Sequence, residues 1–306
     1  MSSKKPILPA EHSDTGSFER QEDAFVDWVR ADGSSDYPAE KGRYHLYVSY
    51  ACPWASRLII LRQVKGLDAV ICMDVVDPVR HEEEGWAFRE GPNHGPDTVN
   101  GFRFLKQAYR ATAPTYTGRV TVPVLWDKQT ARIVSNNDDH LMRMFNSEFD
   151  EFADDTSDLY PTALRPEIDE LNEEIYHNVN NGVYRAGFAS TQSAYEAAVY
   201  PLFEALDILE SRLQGQLYLF GDQIVETDWR FFVTLIRFDA VYYVHFKCNL
   251  RRIIDYPNLH AYMKRLYDVD GVAETVDFDH IKRHYYYTHD DINPFRIVPV
   301  GPKRIF

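Results

Sequence analysis

Cys52 stands in Tyr50-Ala51-Cys52-Pro53-Trp54-Ala55, where an extended run gives way to a helical one. A cysteine at such a junction faces the unpaired N–H groups and the positive dipole end of the helix that follows, which favour its thiolate, the form that attacks sulfur. Pro53 suits the first helical turn, because the N–H it lacks would have no partner inside the helix. Ala55 occupies the place of the second cysteine of a dithiol redox motif. The residues therefore predict a monothiol enzyme whose mixed disulfide is resolved by an external thiol. The other two cysteines read differently. Cys72, inside the apolar run Val70-Ile71-Cys72-Met73, is expected in the core, and Cys248, in His245-Phe246-Lys247-Cys248, is expected to be structural.

The elements that must position Cys52 follow from the surrounding pattern. Residues 44–50 read as a strand, 55–65 as a helix and 70–76 as a second strand, a βαβ unit with a parallel pair. After an insertion over 77–117 rich in Gly and Pro, residues 120–126 and 131–134 read as a hairpin, and a helix over 138–146 starts from the N-cap candidates Asn136 and Asn137. This order predicts a thioredoxin-like domain over 41–150. The proline of Val122-Pro123, at a strand start, either caps an edge or takes the cis form; in that fold a cis proline here faces the active cysteine, and Val122 then offers its main chain to a peptide-like thiol.

Before this domain, residues 1–40 read as a polar arm with a short helix at 25–30. Beyond it, strand signals vanish, and helical periodicity over 166–178, 193–213, 227–243 and 258–267 predicts an all-helical domain over 160–288, followed by an extended tail over 289–306. The fold class expected is α/β plus all-α.

Composition narrows the partners. With 306 residues and 44% hydrophobic content the chain buries a substantial core, and its formal charge of −14 disfavours nucleic acid and anionic membranes. No apolar run approaches the roughly 20 residues of a membrane span, and Met1 to Pro6 lack the apolar core of a secretory signal. The three widely spaced cysteines form neither a disulfide framework nor a CxxC metal cluster, so no metal is expected and a reducing, cytoplasmic setting is.

Several stretches, in order along most of the chain, resemble the xi-class glutathione transferases, also called glutathionyl-hydroquinone reductases. They are Tyr47-Val48-Ser49-Tyr50-Ala51-Cys52-Pro53-Trp54-Ala55, Gly85-Trp86, Gly118-Arg119-Val120-Thr121-Val122-Pro123-Val124-Leu125-Trp126-Asp127-Lys128, Arg143-Met144-Phe145-Asn146, Asn181-Gly182-Val183-Tyr184, and His284-Tyr285 ahead of Ile292-Asn293-Pro294. The resemblance implies an N-terminal thioredoxin-like domain followed by a helical glutathione-transferase domain, and a homodimer formed through the latter. It also implies a reaction: Cys52 attacks the sulfur of a thiol-conjugated hydroquinone, the hydroquinone leaves, and a second thiol frees the enzyme. On the same ground Tyr184 and Tyr285 are the phenols that serve the aromatic leaving group, and Trp86, Arg119 and Val122 contact the thiol.

One departure bears on the thiol. Where the family has Glu-Ser to hold the γ-glutamyl end of glutathione, this chain has Asn137-Asp138. Asn and Asp cap a helix well, but an aspartate beside the ligand carboxylate would repel it. Two thiols fit the pattern: glutathione, or a sugar-containing thiol such as mycothiol whose hydroxyls pair with Asn137, Asp138 and Asp139. Val225, in Val225-Glu226-Thr227-Asp228, departs similarly, standing where a Ser or Thr N-cap is usual, so Thr227 or Asp228 is expected to cap and shift the helix start. Two other function classes share the fold: a thiol S-transferase or dehalogenase, and a non-catalytic binding protein. Cys52 with the two tyrosines favours the reductase, since conjugation needs the co-substrate's own thiolate and a carrier needs none of the three.

Overall fold

The computed structural model describes residues 17, 18 and 20–306. Residues 1–16 and 19, part of the stretch read as an arm and including the Met1 to Pro6 start, lie outside them. The chain divides into one unit of residues 22–160 with 269–281, and another of 161–268 with 282–306 and the described residues 17, 18, 20 and 21.

The first unit opens with β1 (Val29–Arg30) and β2 (Tyr37–Pro38), a short parallel pair. Its core is the unit β3 (Tyr44–Val48), α1 (Pro53–Val64) and β4 (Cys72–Val75), followed by α2 (Lys106–Thr112), β5 (Val124–Asp127), β6 (Arg132–Ser135) and α3 (Asp138–Arg143). The sheet order is β4-β3-β5-β6, with β3 parallel to β4 and antiparallel to β5, and β5 antiparallel to β6. All five residues of β3 are buried, as an inner strand requires, and Leu46, Val48, Leu58, Leu61, Val124 and Leu125 form the core beside it. The insertion between β4 and β5 is pinned to β3 through Asp97, whose carboxylate accepts the Tyr47 hydroxyl at 3.0 Å and the N–H groups of Val99, Asn100 and Phe102.

The helix expected at 25–30 is absent. Asp27 N–H donates to the Val134 carbonyl at 3.1 Å, and Phe25 exchanges bonds with Asn136, its N–H to Oδ1 at 2.9 Å and its carbonyl from the Asn136 N–H at 3.0 Å. Backbone groups committed sideways to β6 and its end are not available for helical i to i+4 bonds.

The second unit holds α4 (Arg165–Ile175), α5 (Gly182–Gly187), α6 (Gln192–Arg212), α7 (Glu226–Arg237), α8 (Pro257–Tyr267) and the larger part of α9 (Phe278–Thr288). Every residue of α7 is buried, so it is the central helix of this unit. Its start is not shifted. Val225 remains the N-cap without a side-chain bond, and Asp228 reaches back to the Val225 N–H at 2.8 Å, half of a capping box. The tail ends against α8, with the Phe306 ring tilted against Tyr267 at 4.5 Å between centroids and the Ile305 carbonyl 3.1 Å from His260 Nε2. Among the described residues no helix is long and apolar enough to cross a membrane.

Candidate active site

Cys52 is the N-cap of α1, with extended backbone (φ −78°, ψ 120°), and its carbonyl accepts the first helical bond from the Ser56 N–H at 2.9 Å. Pro53 fills the first helical position and the first turn carries no acidic residue, so nothing in that turn opposes a thiolate at the helix start. The thiol is half-buried, and its Sγ lies 3.4 Å from the Val122 carbonyl, next to the cis Val122–Pro123 bond at the head of β5. The main chain of Val122 thus borders the sulfur.

The residues after β6 are tied into the protein. Asn137 caps α3 by accepting the His140 N–H at 2.8 Å, and its Nδ2 donates to Asp23 at 3.0 Å. Asp138 accepts from Arg57 Nη1 at 2.6 Å, with Asp139 Oδ1 at 3.2 Å from the same nitrogen, and Arg57 itself is buried on α1. Arg57 thus partly offsets the Asp138 charge, which weakens the repulsion expected against a ligand carboxylate. Trp86 is buried with the Arg80 guanidinium 5.4 Å from its ring centroid, and Arg119 is half-buried with its carbonyl accepting the Tyr116 hydroxyl at 2.6 Å.

In the helical unit Tyr184, on α5, and Tyr285, on α9, come together although 101 residues separate them: their hydroxyls are hydrogen-bonded, and Tyr242 joins them with its hydroxyl 3.0 Å from that of Tyr285. Tyr285 and Tyr242 are fully enclosed, and burial pushes both phenols well above their ordinary pKa, so both are neutral at any physiological pH. Phe188, Phe246 and the Arg20 guanidinium, 5.1 Å from the Tyr184 centroid, surround the Tyr184 ring. Tyr242 was not singled out by the sequence, where it is one tyrosine among 20 at the end of a buried helix; its membership of this trio exists only in three dimensions.

Residues 192–265 match the model of the glutathione S-transferase C-terminal domain. The chain is 49% identical to the glutathionyl-hydroquinone reductase PcpF of Sphingobium chlorophenolicum, over 95% of this chain and 91% of that one. Among solved structures it is similar to the glutathione-S-transferase Xi of Phanerochaete chrysosporium (TM-score 0.93, 51% identity, 96% of this chain and 95% of that). It is also similar to the glutathione-bound structure of YqjG, a glutathione transferase homolog of Escherichia coli K-12 (TM-score 0.90, 49% identity, 92% and 93%).

Proposed function

Because the chain belongs to the xi-class glutathione transferases, the enzyme family of the glutathionyl-hydroquinone reductases, we propose that it reduces glutathione-conjugated hydroquinones through Cys52. The observation that carries this reading is the Cys52 thiol itself, half-buried at the start of α1 and bordered by the Val122 main chain. The Cys52 thiolate attacks the sulfur of the conjugate, the C–S bond breaks, and the ring carbon takes a proton to give free hydroquinone. A second glutathione then attacks the Cys52 mixed disulfide, releasing glutathione disulfide and the thiolate. Tyr184 and Tyr285 are assigned to the leaving group, donating hydrogen bonds to its phenolic oxygens as charge develops. Trp86, Arg119 and Val122 are assigned to the thiol.

Glutathione is the thiol favoured here, because Arg57 partly offsets the Asp138 charge and a relative of the same family carries it bound. Mycothiol is the competing co-substrate suggested by Asn137-Asp138. The enzyme is placed in the cytoplasm, where its three free cysteines stay reduced, and as a homodimer, which light scattering on the eluting protein would show at twice the chain mass.

The test compares kcat/KM for one hydroquinone conjugated to glutathione and to mycothiol, each with its own thiol as reductant, in wild type, Cys52→Ser and the Asn137→Glu, Asp138→Ser double variant. The expected result is turnover of the glutathione conjugate that Cys52→Ser abolishes. Undiminished turnover in Cys52→Ser would overturn the mechanism, and a wild type that prefers mycothiol, with the double variant restoring glutathione, would overturn the choice of thiol.

A further inference from the structure

The register of β3 against β4 places His45 beside Cys72 and Tyr47 beside Asp74, and strand alternation puts Cys72 and Asp74 on one face. There His45 Nδ1 lies 3.0 Å from Cys72 Sγ, and His45 Nε2 lies 3.1 Å from Asp74 Oδ2. Asp74 is fixed in turn by the Thr98 N–H at 2.7 Å and the Thr98 hydroxyl at 2.9 Å. Lys128 Nζ, on the turn after β5, stands 3.6 Å from the same sulfur. His45 is fully buried, whereas Cys72, on the edge strand, is part exposed and so departs from the core placement its apolar strand predicts.

Thiol, imidazole and carboxylate in this order form a proton acceptor and its stabiliser attached to a nucleophile. The His45 contact holds the Cys72 thiol below its ordinary pKa against the opposing effect of burial, with Lys128 assisting. Burial alone would lower His45, but Asp74 and Cys72 together outweigh it and raise it. Asp97 lies close to His45 and Asp74, yet the cluster does not read as a cation site: the Asp97 oxygens already accept four donors and those of Asp74 accept Thr98, all of which a metal would have to displace.

We propose that Cys72, with His45, Asp74 and Lys128, is a second reactive thiol that exchanges with a low-molecular-weight disulfide and becomes S-thiolated. Its thiolate attacks one sulfur of glutathione disulfide. The S–S bond breaks as the Cys72 mixed disulfide forms, and the departing glutathione thiolate takes up the proton held by the His45 imidazolium. The exchange needs no other oxidant. Glutathione disulfide is the product of the reaction proposed above, and in that respect alone the inference rests on that reading; the reactivity of Cys72 does not.

The experiment uses the full chain carrying Cys52→Ser, which leaves Cys72 and the fully buried Cys248 as the only thiols. It is incubated with glutathione disulfide at pH 7 and followed by intact mass and peptide mapping. One glutathione should appear on the Cys72 peptide, with the rate falling about tenfold when His45→Gln is added, because the thiol then loses the partner that favours its thiolate. Lys128 is exposed, so Lys128→Glu keeps the fold and should slow the adduct severalfold. Absence of a Cys72 adduct, or a Lys128→Glu variant that reacts as fast as its parent, overturns the proposal. Since neither Cys52 nor a hydroquinone takes part, this failure is distinct from failure of the proposed reductase reaction.

Discussion

Two hydrogen bonds converge on the Tyr285 hydroxyl, one shared with Tyr184 and one with Tyr242, so the three phenols are unequal. Removing the central hydroxyl breaks both bonds at once. Tyr285→Phe should therefore lower kcat for hydroquinone release by about 10²-fold, a typical contribution of a positioned proton donor, while Tyr242→Phe, which breaks one bond, should cost about tenfold or less. Steady-state turnover of a conjugated hydroquinone checks the order; equal losses would remove Tyr285 from its central place. At Cys52 the helix start predicts early alkylation. The iodoacetamide rate at the Cys52 peptide, mapped by mass spectrometry, should have its midpoint below the free-thiol value of about 8.5. A midpoint at or above it would show that the start of α1 does not activate the sulfur.

Among the elements, α7 depends on one side chain at its first turn. Asp228 accepts the Val225 N–H at 2.8 Å, the Leu219 N–H at 3.0 Å and the Tyr262 hydroxyl at 2.8 Å, all in the interior. Asp228→Ala leaves the Val225 and Leu219 N–H groups without an acceptor and the Tyr262 hydroxyl with only the main-chain carbonyl at 3.4 Å, and at about 1–3 kcal/mol for each such group, less whatever relaxation recovers, the expected loss is about 3 kcal/mol. Urea unfolding measures it; a loss under about 1 kcal/mol would mean that water or a shifted helix start replaces the carboxylate. Sequence reading expected the cap to move because Val225 has no acceptor, and it missed that the reach-back half of the box suffices when the loop before it shares the same carboxylate. The periodic helices were legible, but α3, α4 and α7 each pass into a π-helical turn over Met144–Glu148, Tyr176–Asn180 and Phe238–Tyr242, where the 3.6-residue period no longer applies.

At the scale of the whole molecule, two buried groups make the dependence of stability on pH a balance of opposite signs. His245 is pushed down to about 4 by burial and by Lys247 nearby, against 6.5 in the unfolded chain. The folded state prefers it neutral, so its contribution, about 3 kcal/mol, is present above about pH 6.5 and lost as pH falls toward 4. Asp228 is pushed up to about 6, chiefly by burial, from 3.8. Its contribution, also about 3 kcal/mol, is present below about pH 3.8 and lost as pH rises through 6. Between pH 4 and 6 the two nearly cancel, and the wild type should show little slope from this pair. His245→Gln should become less stable as pH rises across that window, and Asp228→Asn should become more stable, as read from urea midpoints. Parallel profiles for all three proteins would refute the assignment.

The sequence by itself determined what depends on neighbours along the chain. Cys52-Pro53 at a strand-to-helix junction, the βαβ and hairpin order, a cap at Asn136 or Asn137 and the all-helical second half all follow from local backbone preferences and short hydrophobic periods. Tertiary structure decided what depends on register and on burial. The stretch around Val29 became a strand because β2 offered it partners, and Cys72 met His45 because β3 and β4 pair in one register among several that their apolar pattern allows. The phenol trio was decided in the same way. Its members stand on α5, in the π-helical turn after α7 and on α9, and no period within one segment records that elements so distant in sequence will bury their hydroxyls against one another.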